Sequence, residues 1–575
     1  MSITNLTPKG LWVFGSSALL ATLLPGAIML GLIAHYGVNV PFWDEWSLIS
    51  FFQKAHDHAL TFRDFLIQNN EHRIVFSKLI FLTLYRFGLW TPRAAMFSSL
   101  FLVVFTCVGL QWLLWQTLRG SASRTLINGS FFLTGLLLFS PCQFENWLWG
   151  YQLPCFLLNF TLIGGVVVMC LRLPLAVQFL LAATCAIIAT FSAGNGMLLW
   201  PLLWSINFLR PKNKTRLEFF IWSGAWLLLA VCAVGFYFYD YRKPTWHPPL
   251  AASHKFFDYV SYLLTFLGSA LGRHGDTASL ASVIAVGAIL VAIFALSLIA
   301  LGRRWNHDML RARAAPWIAI AGFALLSACM ACITRIGFGP TQALSSRYTT
   351  FSLLFPISLI PLATLLGKGL ATKNRFPINY LNLVLFTVIV VLFATSLPYG
   401  TKMMRSAFQA RAMGHTALTF LKSVPQKHLL ETTVHPNLAY LTIVAPRADA
   451  LHLLHPPLIA PNTLKQLMDS TPVTDTGCGT VDKLEESAEN LYAISGRTTT
   501  CDSQRSPDCI ILCYVGRQAQ RTPFTLAFPV AAHSEWNVSF LGTLIPRTGP
   551  YEIEGWAFDK SRVRVHKLVG RCLLP

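Results

Sequence analysis

The chain has 575 residues, 54% of them hydrophobic and only 12% charged, with a formal net charge of +20. Soluble globular domains carry about a quarter charged residues, so this composition, with a mean hydropathy of +0.52, excludes a soluble enzyme and predicts a polytopic membrane protein. The basic excess forms no stripe on a soluble recognition fold, so nucleic acid is not an expected partner.

Apolar stretches near the roughly 20 residues that cross a bilayer recur over the first 400 positions. They lie near 11–35, 94–118, 125–141, 153–171, 173–191, 195–209, 217–239, 279–302, 315–334, 349–366 and 378–397. The expected fold is therefore mainly α, a membrane helical bundle of about eleven spans. The first stretch is too long for a signal-peptide core and reads as a retained helix. Phe256 to Leu271 reads as a re-entrant or interfacial helix.

Short loops that hold Lys and Arg mark the cytoplasmic side. One side carries Arg119, Arg124, Arg172, Arg210, Lys212, Lys214, Arg216, Arg303, Arg304, Arg311, Arg313, Lys368, Lys373 and Arg375, while the short loops opposite, near 142–151, 192–194 and 336–346, carry none. This alternation predicts a cytoplasmic amino terminus, with the 37–93 loop and the carboxyl-terminal region outside. Of eleven acidic residues before position 400, only Glu218 and Asp308 fall in the predicted cytoplasmic loops. Carboxylate chemistry is thus expected on the outer face.

The 37–93 loop opens on Phe42-Trp43-Asp44-Glu45-Trp46, an acidic pair among aromatics at the edge of the membrane, where ionisable groups are costly and usually functional. One carboxylate could accept a proton from an attacking hydroxyl while the other binds a metal or positions the acceptor. The alternative is a pair that caps the helix starting near Ser47. Trp46–Lys54 and Phe76–Leu89 have the apolar spacing of two interfacial helices. Between them, Asn69-Asn70-Glu71-His72-Arg73 offers a carboxylate, an imidazole and a guanidinium suited to gripping phosphate oxygens; the alternative is a solvated polar turn.

Further along, Gln143 to Gln152 combines Glu145, Asn146 and Gln152 with Trp147, Trp149 and Tyr151, which suits sugar binding as well as it suits an interfacial aromatic belt. Gly194-Asn195-Gly196 reads as a tight turn. At Ser345-Ser346-Arg347-Tyr348, Arg347 could hold a lipid phosphate or act as a snorkelling anchor. Arg242, Lys243, His247, Arg273 and His274 are weaker candidates of the same type.

After about residue 400 the composition changes, with fourteen of the 25 acidic residues there. Alternating runs at Phe524–Phe528, Trp536–Phe540 and Tyr551–Phe558 predict strands in a mixed or β domain, a small sheet or sandwich. Five cysteines fall in it, Cys478, Cys501, Cys509, Cys513 and Cys572, which allows at most two bridges within the domain and leaves their pairing open. No paired Cys-x-x-Cys supports zinc.

Trp43-Asp44-Glu45-Trp46, Asn70-Glu71-His72-Arg73 and Ser346-Arg347-Tyr348, with a long first outer loop and an outer tail, resemble motifs of the GT-C superfamily of membrane glycosyltransferases over about residues 1–400. That resemblance implies a transmembrane domain at 1–400, while the composition change, the loop charges and the cysteines predict an extracytoplasmic, disulfide-bonded domain at 401–575. It implies an enzyme of the bacterial inner membrane that moves a sugar from a polyprenyl-phosphate donor to an envelope glycan or lipid such as O-antigen or lipopolysaccharide. Asp44 would be the general base of an inverting transfer, with Glu45 beside it. Arg73 and Arg347 are added from charge and position as lipid-phosphate ligands, and Glu71, His72, Glu145, Asn146, Gln152 and Tyr348 complete the candidate substrate contacts. Metal dependence varies within the superfamily, so a divalent cation on Asp44, Glu45, Glu71 and His72 stays open and no cofactor is required. A lipid-linked glycan flippase or an envelope scaffold is the competing reading; the first would require a polar path across the membrane.

Overall fold

The computed structural model describes residues 8–209, 215–249, 255–273, 279–370, 378–471, 478–500, 506–516, 520–529, 535–546 and 550–574, excepting the side chains of 8–15, 366–370 and 378–383. Arg210, Lys212, Lys214, Lys373, Arg375, His274, Asp276 and Cys501, and the side chain of Lys368, lie outside the described residues. The chain divides into two compact units: Met1–Gly37 with Leu60–Ala407, and Val38–Ala59 with Phe408–Pro575.

Among the described residues of the chain, nine helices are long and apolar enough to cross a membrane, where about eleven were expected. They are Ser16–Tyr36, Pro92–Leu118, Arg124–Leu148, Gly150–Cys170, Arg216–Phe238, Leu280–Gly302, Asp308–Phe338, Ser346–Leu365 and Val384–Thr419. The two missing spans are shorter helices, Leu175–Thr190 and Leu199–Leu209. The chain tightens between them into the turn Gly194–Leu198. Glycine is required there, because a Cβ on Gly196 would sit 2.0 Å from the Ala189 carbonyl oxygen. Phe256–Gly268 is likewise a short apolar helix.

Local chemistry sets the helix starts. Thr91 accepts from Ala94 N–H at 3.0 Å ahead of Pro92, and Ser123 accepts from Leu126 N–H at 3.3 Å, each satisfying an amide that has no partner inside its helix. Within the first unit, polar side chains join helices where lipid or protein offers no water. Trp317 donates to Thr117 at 2.8 Å and Asn195 to Ser327 at 3.1 Å. Gly135 admits the first helix so closely that a Cβ would meet the Ala21 carbonyl at 2.2 Å, the small-residue contact typical of membrane helices.

The second unit contains the tail and, unexpectedly, the first part of the outer loop expected as one piece at 37–93. Ser47–His56 forms the expected helix and buries Leu48, Ile49, Phe51 and Phe52. Trp43 N–H donates to the Val434 carbonyl at 2.9 Å. The loop's apolar face thus has a protein partner in this unit. The tail's strands are β1 (Gly479–Ala488), β2 (Leu491–Thr498), β3 (Cys509–Val515), β4 (Arg521–Ala527), β5 (Glu535–Leu541), β6 (Tyr551–Asp559), β7 (Arg564–Lys567) and β8 (Cys572–Leu574).

They form two antiparallel sheets, ordered β1-β2-β5 and β4-β3-β6-β7, with β8 also on β6. Alternate residues of β3 enter different cores. Ile510 and Leu512 join Ile494, Trp536 and Phe540 of the other sheet. Cys509, Ile511 and Cys513 join Phe420, which follows helix Ile378–Thr419, and Leu464 and Met468 of helix Pro461–Asp469. A strand covered on both faces loses the in–out alternation that betrays a half-buried one. Cys478 is disulfide-bonded, while Cys509, Cys513 and Cys572 are free thiols.

Glu554 on β6 is buried and is met by Lys567 Nζ at 2.8 Å, Arg521 Nε at 3.2 Å and Arg571 Nε at 3.2 Å. Burial pushes its carboxyl up, but the Lys567 hydrogen bond and the three cations outweigh that and hold it below the usual range. A depressed carboxyl stabilises the fold above its unfolded pKa, and that contribution disappears as pH falls through the folded value. Glu554→Ala strands a buried ammonium and is expected to cost about 3–5 kcal/mol at neutral pH. Thermal melting of the variant and the wild type at pH 7 and pH 3 tests this, with the gap closing in acid.

Candidate functional site

In the first unit, the loop around Glu71 and the end of helix Arg216–Phe238 are stitched together by buried polar groups. The left-handed backbone of Asn70 (φ 49°) and the paired amides of Asn69 and His72, at 2.8 and 2.9 Å, make a tight turn that presents Glu71 and His72. Arg73 follows and is buried. Its Nε donates to the Tyr237 carbonyl at 2.7 Å, its Nη2 to the Tyr239 carbonyl and its Nη1 to the Leu66 carbonyl. The guanidinium thus caps a helix C-terminus, where carbonyls lack partners and the helix dipole favours a cation. The fork assigned from sequence to a lipid phosphate is occupied by backbone.

Lys78 does similar work, donating to the carbonyls of Asp64 at 3.1 Å and Ile67 at 2.9 Å. Burial pulls its ammonium down to about 8, against the nearby Asp64 charge. Gln68 exchanges two hydrogen bonds with the Arg242 backbone, and Tyr237 Oη donates to the Glu71 carbonyl at 2.9 Å.

On this frame, Glu71 gathers three cationic or ionisable partners from three chain segments. Arg335 pairs with it directly, and His72 Nε2 and His247 Nε2 each lie 3.5 Å from a carboxylate oxygen. Gly194 N–H donates to His72 Nδ1 at 3.1 Å, which leaves the Nε2 proton facing Glu71. Arg335 Nη1 lies 3.4 Å from His247 Nε2. Burial, Lys243 and His72 together push the His247 imidazole below its usual value. Arg347 and Tyr348 lie within electrostatic range of Arg335.

Arg335 closes the helix Asp308–Arg335 and falls between the predicted span at 315–334 and the loop at 336–346, so nothing in the sequence singled it out. His247 was a minor candidate, and its partners are 176 and 88 positions away. Tertiary structure alone could reveal this set.

Glu145 and Asn146 join a second polar group. Ser346 Oγ donates to Glu145 at 2.5 Å, while Asn146 Nδ2 donates to Thr350 Oγ1 at 2.6 Å and to the Arg347 carbonyl at 3.0 Å. Asn146 is fully buried, so it braces the Arg347 turn. Arg347 Nε contacts Ser345 Oγ at 3.3 Å, and Tyr348 stacks on Phe266 at 5.0 Å. Gln152 accepts from Cys155 within its own helical turn.

The acidic pair belongs to the second unit and splits into unlike members. Trp43–Trp46 is one 3-10 turn in which Glu45 and Trp46 are buried and Asp44 is half-buried. Glu45 Oε2 accepts from Phe42 N–H at 3.2 Å, while Oε1 is buried without a hydrogen-bond partner. Burial pushes the Glu45 carboxyl up to about 8, against the Phe42 hydrogen bond and the Arg411 charge. Glu45, not Asp44, therefore caps the turn, and it holds a proton at neutral pH.

The metal set suggested from sequence is divided, with Asp44 and Glu45 in one unit and Glu71 and His72 in the other. Among the described residues, no group of three or more His, Cys, Asp or Glu is placed to hold a metal ion. A scan against protein-family models, a search of curated proteins and a search of solved structures each returned no match to this chain.

Two outcomes follow. Arg73→Lys loses the fork that reaches three carbonyls and should lower stability by about 2 kcal/mol or more, read as an earlier melting transition in detergent. For Glu45 the folded pKa is raised, so its contribution is complete below the unfolded pKa and is lost as pH rises from about 4.5 to about 8. Glu45→Gln escapes that loss; it should melt with the wild type near pH 5 and above it at pH 8, by an amount on the order of 4 kcal/mol.

Proposed function

We propose that this chain is a membrane glycosyltransferase that takes a sugar from a polyprenyl-phosphate donor and passes it to an envelope glycan or lipid on the outer face of the bacterial inner membrane. The observation that carries this reading is the division of labour within the acidic pair. Glu45 is buried with Oε1 lacking a hydrogen-bond partner, and burial pushes its carboxyl up to about 8, which leaves the half-buried Asp44 to accept a proton. An aromatic turn holding one buried acid and one accessible carboxylate suits base catalysis beside a flat, hydroxyl-bearing ligand.

In the reaction, the acceptor hydroxyl oxygen forms a bond to the anomeric carbon of the donor sugar. The bond from that carbon to the phosphate oxygen breaks, and its electron pair leaves on the lipid phosphate. The hydroxyl proton goes to Asp44. Attack opposite the leaving group inverts the anomeric centre. Arg73 is committed to backbone carbonyls and is withdrawn as a ligand for the phosphate. Metal-free transfer and transfer assisted by a divalent cation both fit this scheme.

Envelope-glycan mass spectrometry on deletion, wild-type and Asp44→Asn strains tests the reading. A glycan that depends on the gene should fall by roughly a hundredfold or more in Asp44→Asn at wild-type expression, as expected for removal of a general base. An unchanged glycan sinks the proposal.

A further inference from the structure

The Asp44 turn carries a feature that composition and motifs did not flag. Trp43 adopts φ 48°, a left-handed conformation that a bulky side chain takes up at a cost of order 1–3 kcal/mol and that persists only where the surroundings impose it. The backbone partner at this turn is Val434 of the same unit. The Trp43 N–H is fixed on the Val434 carbonyl at 2.9 Å, so the residues that follow each of these, Asp44 and His435, are brought side by side. Asp44 acts electrostatically on the His435 imidazole.

The His435 ring is itself held firmly. Nδ1 lies 3.1 Å from both the N–H and the carbonyl of Asn437. Asn437 Oδ1 caps helix Leu438–Ala450 through Tyr440 N–H at 2.9 Å, and the Tyr440 ring lies 4.8 Å from the imidazole. With Nδ1 committed to its own backbone, Nε2 is the edge available to a side chain. The charged groups acting on this corner are Asp44 from the turn and Arg447, which acts on Tyr440 from the helix.

We propose that His435 is the positioning residue for Asp44: its Nε2–H holds the Asp44 carboxylate in the orientation that receives the acceptor's hydroxyl proton. The inference rests on the glycosyltransferase reading. His435 gains and loses nothing in the reaction; the proton stops on Asp44. Strain at Trp43 is the cost of bringing the carboxylate to that edge.

Two measurements on the full-length protein test this. In histidine-labelled protein in detergent micelles, with the His435 resonance identified by its loss in His435→Gln, the Asp44→Asn variant should titrate His435 at lower pH than the wild type. Removing the carboxylate removes what favours the imidazolium. An unmoved midpoint overturns the proposal and leaves the enzyme reading standing. In the strain assay, His435→Ala should lower the gene-dependent glycan roughly tenfold, in the range of supporting-residue losses. His435→Gln, whose amide can replace the Nε2–H, should restore most of it. Equal loss in both variants, or no loss in either, overturns the proposal. If Asp44→Asn leaves the glycan intact, the enzyme reading and the positioning role fall together, whatever the titration shows.

Discussion

In an apolar surrounding, a backbone carbonyl without a donor costs more than most side-chain contacts return. This requirement organises the first unit around the loop that carries Glu71. Helix Arg216–Phe238 ends with carbonyls that its own amides cannot reach, and the short helix Phe62–Leu66 does the same. Arg73 and Lys78 reach into those ends from the same loop. Once two buried cations are committed in this way, the backbone between them has little freedom, and Glu71 and His72 are held on a rigid turn. The cluster with Arg335 and His247 depends on that rigidity, since its members come from three separate chain segments.

The second unit answers the same requirement differently. There the buried charge is a carboxylate, Glu554, and three cations converge on it. Glu45 is the contrasting case: one backbone amide and a nearby guanidinium do not compensate its burial, so it becomes neutral instead. The same side-chain type thus ends in opposite protonation states because one site supplies enough partners and the other does not. The acidic pair reads differently in this light. Its two members share a turn but not a chemistry, and only Asp44 remains suited to accept a proton.

Much of this was legible in the sequence. Hydropathy located all nine long helices because each holds a full apolar crossing, but it stopped at 397 in Val384–Thr419, whose second half carries Lys402, Arg405 and Arg411. It overcounted at 173–209, where two shorter helices are just as apolar and only the turn at Gly194 sets their length. Strands β4, β5 and β6 were visible from alternation, whereas β3 was hidden because Cys509 to Cys513 are apolar on both faces. The motif around Glu71 drew attention to the loop but not to the role of Arg73, since nothing local announces that a guanidinium will cap a helix end 164 residues later. Arg335 and His435 were out of reach for the same reason, and His247 stood out only as a minor candidate. Their meaning lies in partners that only folding brings near.

The position of β3 has a consequence for how the tail is made. Its two faces are completed by Phe420 and Leu464 on one side and Ile494 and Trp536 on the other, and its edges by β4 and β6. The last of these pieces, β6, starts at Tyr551, 36 residues after β3 ends at Val515. The central strand therefore keeps one edge open until β6 has been made, and sequence separation of this kind slows folding. A chain interrupted between β3 and β6 leaves a hydrophobic strand with an unpaired edge, a ready template for pairing with another chain.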